Sequence, residues 1–244
     1  MKFDFTKEPG KKLLNRNMQK NSNPLISIVT PFFNAGSSIE QTYNSVLNQT
    51  FPFFEWIIVD DESTNKNDIA YLRKLASTDP RISIYEKKNS GPAGARNYGV
   101  MKASTDIIVF LDADDLIEPT FLEINYMALY FNPRAAWSYT DSLGFGNQEY
   151  LWKVPFDDEQ LKKENFLTVT GAVRKAYFEK VKGFDEIQKY AYEDWHFWLK
   201  IMESGGYPVH IDNLGFWYRR GDDGIYSITS RNKIYKHNTM ENIN

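Results

Sequence analysis

The sequence predicts an α/β protein built around a mostly parallel sheet. Short β-branched runs alternate with segments of helical period over roughly a hundred residues, and such alternation requires right-handed crossovers between parallel strands. The strand runs are continuously apolar, so we expect helices on both faces of the sheet. The chain has 244 residues, of which 42% are apolar and 25% charged, and this is enough to bury a large core.

The predicted elements are regular in the first half of the chain and less regular in the second. Strands are expected at 25–29, 56–59, 81–86 and 107–111. Helices are expected around 39–47, 69–76, 91–100 and 119–131. Beyond them we predict a long loop or insertion at 141–167, a strand near 168–173, helices at 175–182 and 193–206, and strands at 207–211 and 214–219.

The predicted domain organisation is simple. Residues 1–23 are polar and lysine-rich without a sustained period, which favours a mobile tail over a basic arm that lies against a membrane. Residues 24–244 contain no linker and are predicted to form one domain, whose last stretch from Gly221 is polar and expected to be mobile.

Composition excludes several classes of protein. Acidic residues number 32 and basic residues 29, so the formal net charge is −3 and no basic excess points to nucleic acid. No cysteine is present, which excludes disulfides, thiolate zinc sites and a cysteine nucleophile. The longest apolar run is Tyr126 to Phe131, whereas a membrane helix needs about twenty residues. With no signal-peptide pattern at the N-terminus, we expect a cytoplasmic protein.

Acidic residues follow the predicted strands. The segments TPFFN at 30–34, DDES at 60–63 and DADD at 112–115 stand at three strand ends. In parallel sheets ligands bind beyond the carboxyl ends of the strands, so these segments should line one crevice. In an extended segment Asp112 and Asp114 would present two carboxylates to one side, which suits magnesium or manganese. The alternative is that Asp114 or Asp115 caps the next helix.

Other residues in these segments can contact a nucleotide. Asp60 can accept hydrogen bonds from a base or ribose, and one of Phe32 and Phe33 can stack on a base while the other faces the core. Arg96 lies in the first turns of GPAGARN, where a guanidinium can hold a phosphate. The alternative roles are a turn residue for Asp60, core positions for both phenylalanines and an ordinary surface position for Arg96.

Seven ordered motifs resemble family 2 glycosyltransferases of the GT-A fold. They extend from about Leu25 to Ser227 and read TPFFN, VDDES, GPAGARNYG, FLDADD, GFDE, EDW and YRR. The resemblance implies a Rossmann-like nucleotide-binding half at about 24–115 fused to an acceptor-binding half at about 116–244. It further implies metal-dependent transfer of a sugar, usually from a UDP-sugar, to an acceptor hydroxyl with inversion.

The resemblance assigns the donor site. Pro31 and Phe33 match the first strand end that contacts the nucleotide, and Asp60 matches the acid that binds uracil. Arg96 falls in the segment that supplies a basic residue beside the pyrophosphate. Arg219 matches, with the tyrosine before it, the start of an element that closes over the donor.

The resemblance also assigns the metal and the base. Asp112 and Asp114 match the DXD element that binds Mn²⁺ or Mg²⁺, with Asp114 as the first choice of direct ligand. Asp194 matches the acid of the ED motif, which is the general base. Two departures stand out: no QxxRW element of processive synthases is present, which favours the addition of one sugar or a few, and GDDGIYSIT at 221–229 follows YRR without a histidine.

The expected function is therefore UDP-sugar-dependent glycosyl transfer in bacterial surface polysaccharide or glycoconjugate assembly, at the inner face of the cell membrane by family analogy. The expected acceptor is a saccharide, a lipid-linked glycan or a protein-linked glycan. A nucleotidyltransferase, an oxidoreductase and an inactive sugar-nucleotide binding module are the rival interpretations. The donor sugar, the choice between UDP and dTDP, the linkage and the oligomeric state stay open.

Overall fold

One mixed sheet organises the protein. The computed structural model describes residues 23–186 and 192–221. Within these ranges the strands are β1 (Ile26–Phe32), β2 (Phe54–Asp60), β3 (Ile82–Glu86), β4 (Ile107–Phe110), β5 (Leu116–Ile117), β6 (Trp137–Gly146), β7 (Tyr150–Trp152), β8 (Ala172–Arg174) and β9 (Pro208–Arg220). Their order in the sheet is β3-β2-β1-β4-β8-β6-β9-β5, and β7 pairs with β6. The helices are α1 (Ile39–Leu47), α2 (Lys66–Ala76), α3 (Gly91–Lys102), α4 (Phe121–Phe131), α5 (Asp158–Leu161), α6 (Lys175–Lys180) and α7 (Glu193–Glu203).

Strands β1 to β4 are parallel to one another. β1 lies between β2 and β4, and β3 borders β2. Antiparallel strands then extend the sheet: β8 pairs with β4 and β6, and β5 pairs with β9. The α/β prediction is confirmed, and the parallel order is clearest in the first half.

Alternate side chains of the central strands enter two different cores. Val29 and Val59 pack on one face with residues of α3, α6 and α7. Ile28 and Ile58 pack on the other face with residues of α1, α2 and α4. Because each fully buried Val or Ile contributes about 1.5–3 kcal/mol, the continuous apolar runs stabilise both layers, as predicted.

The prediction of a long loop at 141–167 is wrong for its first part. β6 continues to Gly146, β7 returns beside it, and α5 begins after an Asp157 carboxylate that accepts from the Gln160 N–H. The polar residues of β6 hide this strand from a hydrophobicity pattern. Its Asp141 is 2% exposed and lies 2.8 Å from His210 and 3.1 Å from Lys153.

Smaller differences concern the strands near the C-terminus. The strand predicted at 168–173 is β8 at Ala172–Arg174, and the two strands predicted at 207–219 form the single strand β9. Apart from Asn23 and Gly221, the predicted tail at 1–23 and the stretch from Gly221 onward lie outside the described residues. No helix in the described ranges is long and apolar enough to cross a bilayer.

Helix α3 lies unusually close to the sheet at Gly99. A Cβ added there would be 2.4 Å from Val29 Cγ1 and 3.3 Å from Val59 Cγ2. Both neighbours are β-branched and fixed in the central strands, so they cannot swing away. This contact sets the height of α3 above β1 and β2.

We expect Gly99→Ala to lower the free energy of unfolding by about 2 kcal/mol, because overpacking outweighs the gain in helix propensity of about 1 kcal/mol. Urea denaturation measures the change. Met101→Ala, on the same helix and 70% exposed, is the control and should stay within about 0.5 kcal/mol of the parent. Equal stability of the two variants would contradict this close contact.

Candidate active site

The ends of three parallel strands define the candidate site. β1, β2 and β4 are neighbours that run in the same direction, so their carboxyl ends meet at one edge of the sheet. The chain leaves this edge through Phe33, Asp61 and Leu111 into the three predicted polar segments. The convergence that the sequence predicted is therefore present.

The DADD segment forms a tight turn. The Asp115 N–H donates to the Asp112 carbonyl at 3.2 Å, so the expectation of an extended segment is wrong. Asp115 is 1% exposed, and its carboxylate accepts from the Arg219 backbone N–H of β9 at 2.7 Å. The capping alternative is not realised, because α4 has Thr120 as its N-cap. The turn leaves Asp112 partly exposed and Asp114 exposed to solvent.

Arg96 joins this turn to helix α7. Its guanidinium donates to Asp112 Oδ1 at 2.6 Å and to Glu193 Oε1 at 2.8 Å. The Arg96 residue is only 2% exposed, and its Nε has no hydrogen-bond partner among the described residues. The expectation that Arg96 offers an open guanidinium to phosphate finds no support in this geometry, since both terminal nitrogens bind carboxylates. Arg96 links the DADD turn to the start of α7.

A second arginine holds the turn from the opposite side. Arg219 Nε donates to the Asp114 carbonyl at 2.6 Å, and its guanidinium also contacts Gln41. The cation lies 4.4 Å from the centre of the Phe145 ring. Arg219 therefore lies beside the DADD turn, and its predicted role in closing over the donor stays a prediction.

Asp194 follows Glu193 in the first turn of helix α7. Its Oδ1 accepts from the Trp195 backbone N–H at 2.7 Å and from the Asn165 side-chain amide at 3.3 Å. Burial, followed by the negative charge of Glu193, raises the pKa of Asp194 to about 7, although the N–H of Trp195, Arg96 and Asn165 oppose the shift. A half-buried carboxyl group with this pKa can exchange protons near neutral pH.

The acids of the turn are also perturbed. Partial desolvation, followed by the charge of Asp112, raises the pKa of Asp114 to about 6. Burial, followed by the charges of Asp114 and Asp112, raises the pKa of Asp115 well above its usual range. Because Asp114 is open to solvent, water screens part of this repulsion.

The turn fits a hard divalent cation that also binds phosphate. Asp112 and Asp114 offer carboxylate oxygens two residues apart, and their mutual repulsion would fall if a cation were bound. In the described ranges no group of three or more His, Cys, Asp and Glu side chains forms a complete cage. A Mg²⁺ or Mn²⁺ ion here would need water and phosphate oxygens as further ligands, which is how magnesium is usually bound.

The predicted nucleotide contacts lie at the same edge. Phe32 is fully buried and Phe33 is 51% exposed, so one ring of the pair faces outward, as expected. Asp60 is 4% exposed and its Oδ1 accepts from the Ser63 N–H at 2.9 Å. Pro31 is half-buried in β1 opposite Val59. Their predicted contacts with a nucleotide stay predictions.

Three residues to which the sequence assigned no role in the site help to build it. Asp61 accepts from the Gly91 N–H at 2.8 Å, which anchors the first turn of α3 and with it Arg96. Glu193 is the second partner of Arg96, and Asn165 contacts Asp194. Asp61 has the pattern of a turn residue and Glu193 that of an acid at a helix N-terminus, so neither indicated a role in the site. Asn165 lies in a segment without any recognisable pattern.

Comparison with known proteins identifies the family. The sequence model of glycosyl transferase family 2 matches residues 27–181, and the chain belongs to this family. The O-antigen biosynthesis protein RfbC of Myxococcus xanthus is 30% identical over 208 residues, which are 81% of this chain and 16% of RfbC. Chondroitin synthase of Pasteurella multocida is 30% identical over 196 residues, 78% of this chain and 20% of the synthase.

A solved structure supports the GT-A fold. S. aureus TarS 1–349 in complex with UDP-GlcNAc superposes with a TM-score of 0.70 at 20% identity, covering 83% of this chain and 60% of TarS 1–349.

An uncharacterised glycosyltransferase of Haemophilus influenzae is 42% identical over 107 residues, 43% of this chain and 42% of that protein. The chain thus spans less than half the length of each curated relative named here.

Because Arg96 ties two separate segments together, its removal should destabilise the fold. Arg96→Met leaves Asp112 and Glu193 without a counter-charge, and we expect the free energy of unfolding to fall by about 3 kcal/mol in urea denaturation. Arg73→Met is the control, since the side chains of Arg73 and its partner Glu86 are 63% and 60% exposed. This control should cost less than about 1 kcal/mol. Equal losses in both variants would show that the Arg96 pairs are not special.

Proposed function

We propose that this chain transfers a sugar from a UDP-sugar to an acceptor hydroxyl with inversion at the anomeric carbon, in bacterial surface polysaccharide or glycoconjugate assembly. The observation that carries the proposal is the Arg96 link between the Asp112 turn and the start of α7, where Asp194 has a pKa raised to about 7. This link sets a candidate base beside a candidate diphosphate site. Family membership, the similarity to the O-antigen biosynthesis protein RfbC and the UDP-GlcNAc complex of TarS support it.

Asp194 is the proposed general base. The acceptor hydroxyl oxygen attacks the anomeric carbon from the face opposite the leaving group, and Asp194 takes the hydroxyl proton. The bond from the anomeric carbon to the β-phosphate oxygen breaks, and UDP leaves with the electron pair. One base and one displacement produce inversion without a covalent enzyme intermediate. Trp195 N–H and Asn165 hold one carboxylate oxygen of Asp194, which leaves the other oxygen for the acceptor.

Asp112 and Asp114 are the proposed holders of a Mn²⁺ or Mg²⁺ ion. When bound, the ion neutralises charge that develops on the departing diphosphate. Asp112 is already oriented by Arg96, and Arg219 fixes the Asp114 backbone. These two arginines therefore preset the turn before donor binds, whereas the exposed Asp114 carboxylate stays available as a ligand.

Phe33 and Asp60 are the proposed contacts of the uracil base. The exposed ring of Phe33 can stack on the base, and Asp60 can accept from the N–H of uracil with the oxygen that Ser63 does not occupy. Pro31 shapes the same strand end.

The assay that tests this function measures hydrolysis and transfer with a panel of UDP-sugars and manganese. We expect turnover with at least one UDP-sugar, loss of turnover in chelator, and loss in Asp114→Asn. Asp106→Asn is the matched control, because Asp106 is also exposed but precedes the opposite end of β4. Undiminished turnover in chelator would refute the metal proposal, and no turnover with any UDP-sugar would refute the function.

Asp194→Asn keeps the shape of the side chain and removes its basicity, so transfer should fall by about 10²–10⁴-fold while UDP binding by calorimetry is retained. The base must be deprotonated, so kcat/KM of the parent, which reports the pKa of the unliganded protein, should be low below about pH 7 and rise above it. Glu193→Gln, which can still accept from Arg96, should cost less.

The pH profile has its own control. The Asn165 amide favours the charged form of Asp194, so Asn165→Leu should raise the pKa of Asp194 and move the rise in kcat/KM to higher pH. An active Asp194→Asn with an inactive Glu193→Gln would reverse the assignment of the base.

A further inference from the structure

Trp152 differs from every other tryptophan of the chain. All six tryptophans lie in the described residues, and five of them are at most 4% exposed. Trp152, at the end of β7, is 42% exposed. A tryptophan that keeps so much apolar surface in water gives up the stabilisation that its five counterparts gain from burial.

The Trp152 ring is held in a fixed orientation. Its Nε1–H donates to the Phe166 carbonyl at 2.9 Å, and its ring lies edge to face with Tyr150 at 6.4 Å between centroids. These two contacts restrict rotation of the indole and determine which face is exposed. A preorganised aromatic face binds a ligand with little additional loss of entropy.

Two chains of contacts connect this ring to the proposed base. Phe166, which accepts from Trp152, follows Asn165, and Asn165 donates to Asp194 at 3.3 Å. On the other side, the Arg220 guanidinium lies 5.9 Å from the Tyr150 ring and 5.1 Å from the Tyr218 ring. The pKa of Tyr218 is raised by burial and then by Asp115, with a smaller contribution from Asp194, which places Tyr218 among the acids of the site.

A small pocket beside the ring carries hydroxyl groups. Tyr139, Thr140, Ser142 and Thr168 line it together with Trp152. Thr140 Oγ1 is buried and has no hydrogen-bond partner among the described residues. The pocket has about the size of one water molecule, so it suits a single hydroxyl group rather than a ring.

We propose that Trp152 is the stacking platform for a saccharide ring of the acceptor, which it holds on the side of the site where Asp194 receives the hydroxyl proton. This inference rests on the proposed function and names the substrate class of its acceptor side. Sugar rings present C–H faces that pack on an indole and hydroxyls that satisfy groups such as Thr140. The exposed faces of Trp152 and Tyr150 are far smaller than the about 800 Å² per partner of a stable protein interface, which favours a sugar over a protein.

The neighbouring Leu151 provides a matched control. It is also 42% exposed, but successive side chains of a strand point to opposite faces of the sheet. If any apolar side chain on β7 contributed to acceptor binding, Leu151→Ala would weaken binding as well. If Trp152 alone stacks on the sugar, Leu151→Ala should have no effect on binding.

The first test uses acrylamide quenching of the tryptophan fluorescence of the full chain. Since Trp152 is the exposed tryptophan, it should dominate quenching, and Trp152→Phe should remove most of it. With UDP present, at least one methyl glycoside from a panel of glucose, galactose, N-acetylglucosamine and glucuronic acid should lower the quenching constant. The proposal would be overturned if no glycoside lowered the quenching constant. It would also be overturned if the quenching constant fell only as protein concentration rose, because copies of the chain would then pair at this edge.

The second test measures transfer to the glycoside that protects Trp152. Trp152→Ala should raise the KM for this acceptor about tenfold with a much smaller change in kcat, and Trp152→Phe should recover most of the loss because it keeps a ring. Leu151→Ala should match the parent. If the parent hydrolyses a UDP-sugar but Trp152→Ala keeps the parental acceptor KM, the platform is refuted while the proposed function stands. A parent that hydrolyses no UDP-sugar refutes the function itself.

Discussion

The ion pairs of Arg96 are the interaction on which the site depends. Arg96 belongs to α3, Asp112 to the turn after β4, and Glu193 to the first turn of α7, so one guanidinium joins segments that lie up to 97 residues apart. The arginine is buried, and each of its two terminal nitrogens donates a charge-assisted hydrogen bond to a different carboxylate. Its position depends in turn on Asp61, which anchors the start of α3, and on Gly99, which lets α3 approach the sheet.

The same arrangement explains why the site carries unbalanced negative charge. Asp112, Asp114, Asp115, Glu193 and Asp194 meet two arginines, and both arginines are already bound to groups of the protein. Burial is the larger cause of the raised pKa values of Asp114 and Asp194, and the neighbouring negative charges of Asp112 and Glu193 raise them further. In our account the two acids have different roles. Repulsion at the exposed Asp114 favours the binding of a cation, whereas the burial of Asp194 makes it a base that works near neutral pH.

The sequence predicts the parallel half of this fold better than the rest. Runs such as those of β2 and β4 are apolar because both faces are covered, and the acids that follow them mark the strand ends. β6 escapes prediction because it buries polar residues, among them Asp141 with His210 and Lys153 as partners. Asn165 and Trp152 lie in the same unpredicted region, so the contact of Asn165 with Asp194 and the hydrogen bond from Trp152 to the adjacent Phe166 become visible only in three dimensions. The position of Arg96 at the site was predicted but its carboxylate partners were not, since no local pattern reveals a carboxylate 97 residues away.

The stereochemistry of the product tests the central claim of a single displacement most directly. Proton NMR can follow the anomeric signal of the sugar released from an α-linked UDP-sugar, before mutarotation, with the full chain and manganese. The account predicts that the β-anomer forms first, because the attacking oxygen approaches opposite to UDP with Asp194 as base. First appearance of the α-anomer would mean retention and would contradict the proposed mechanism.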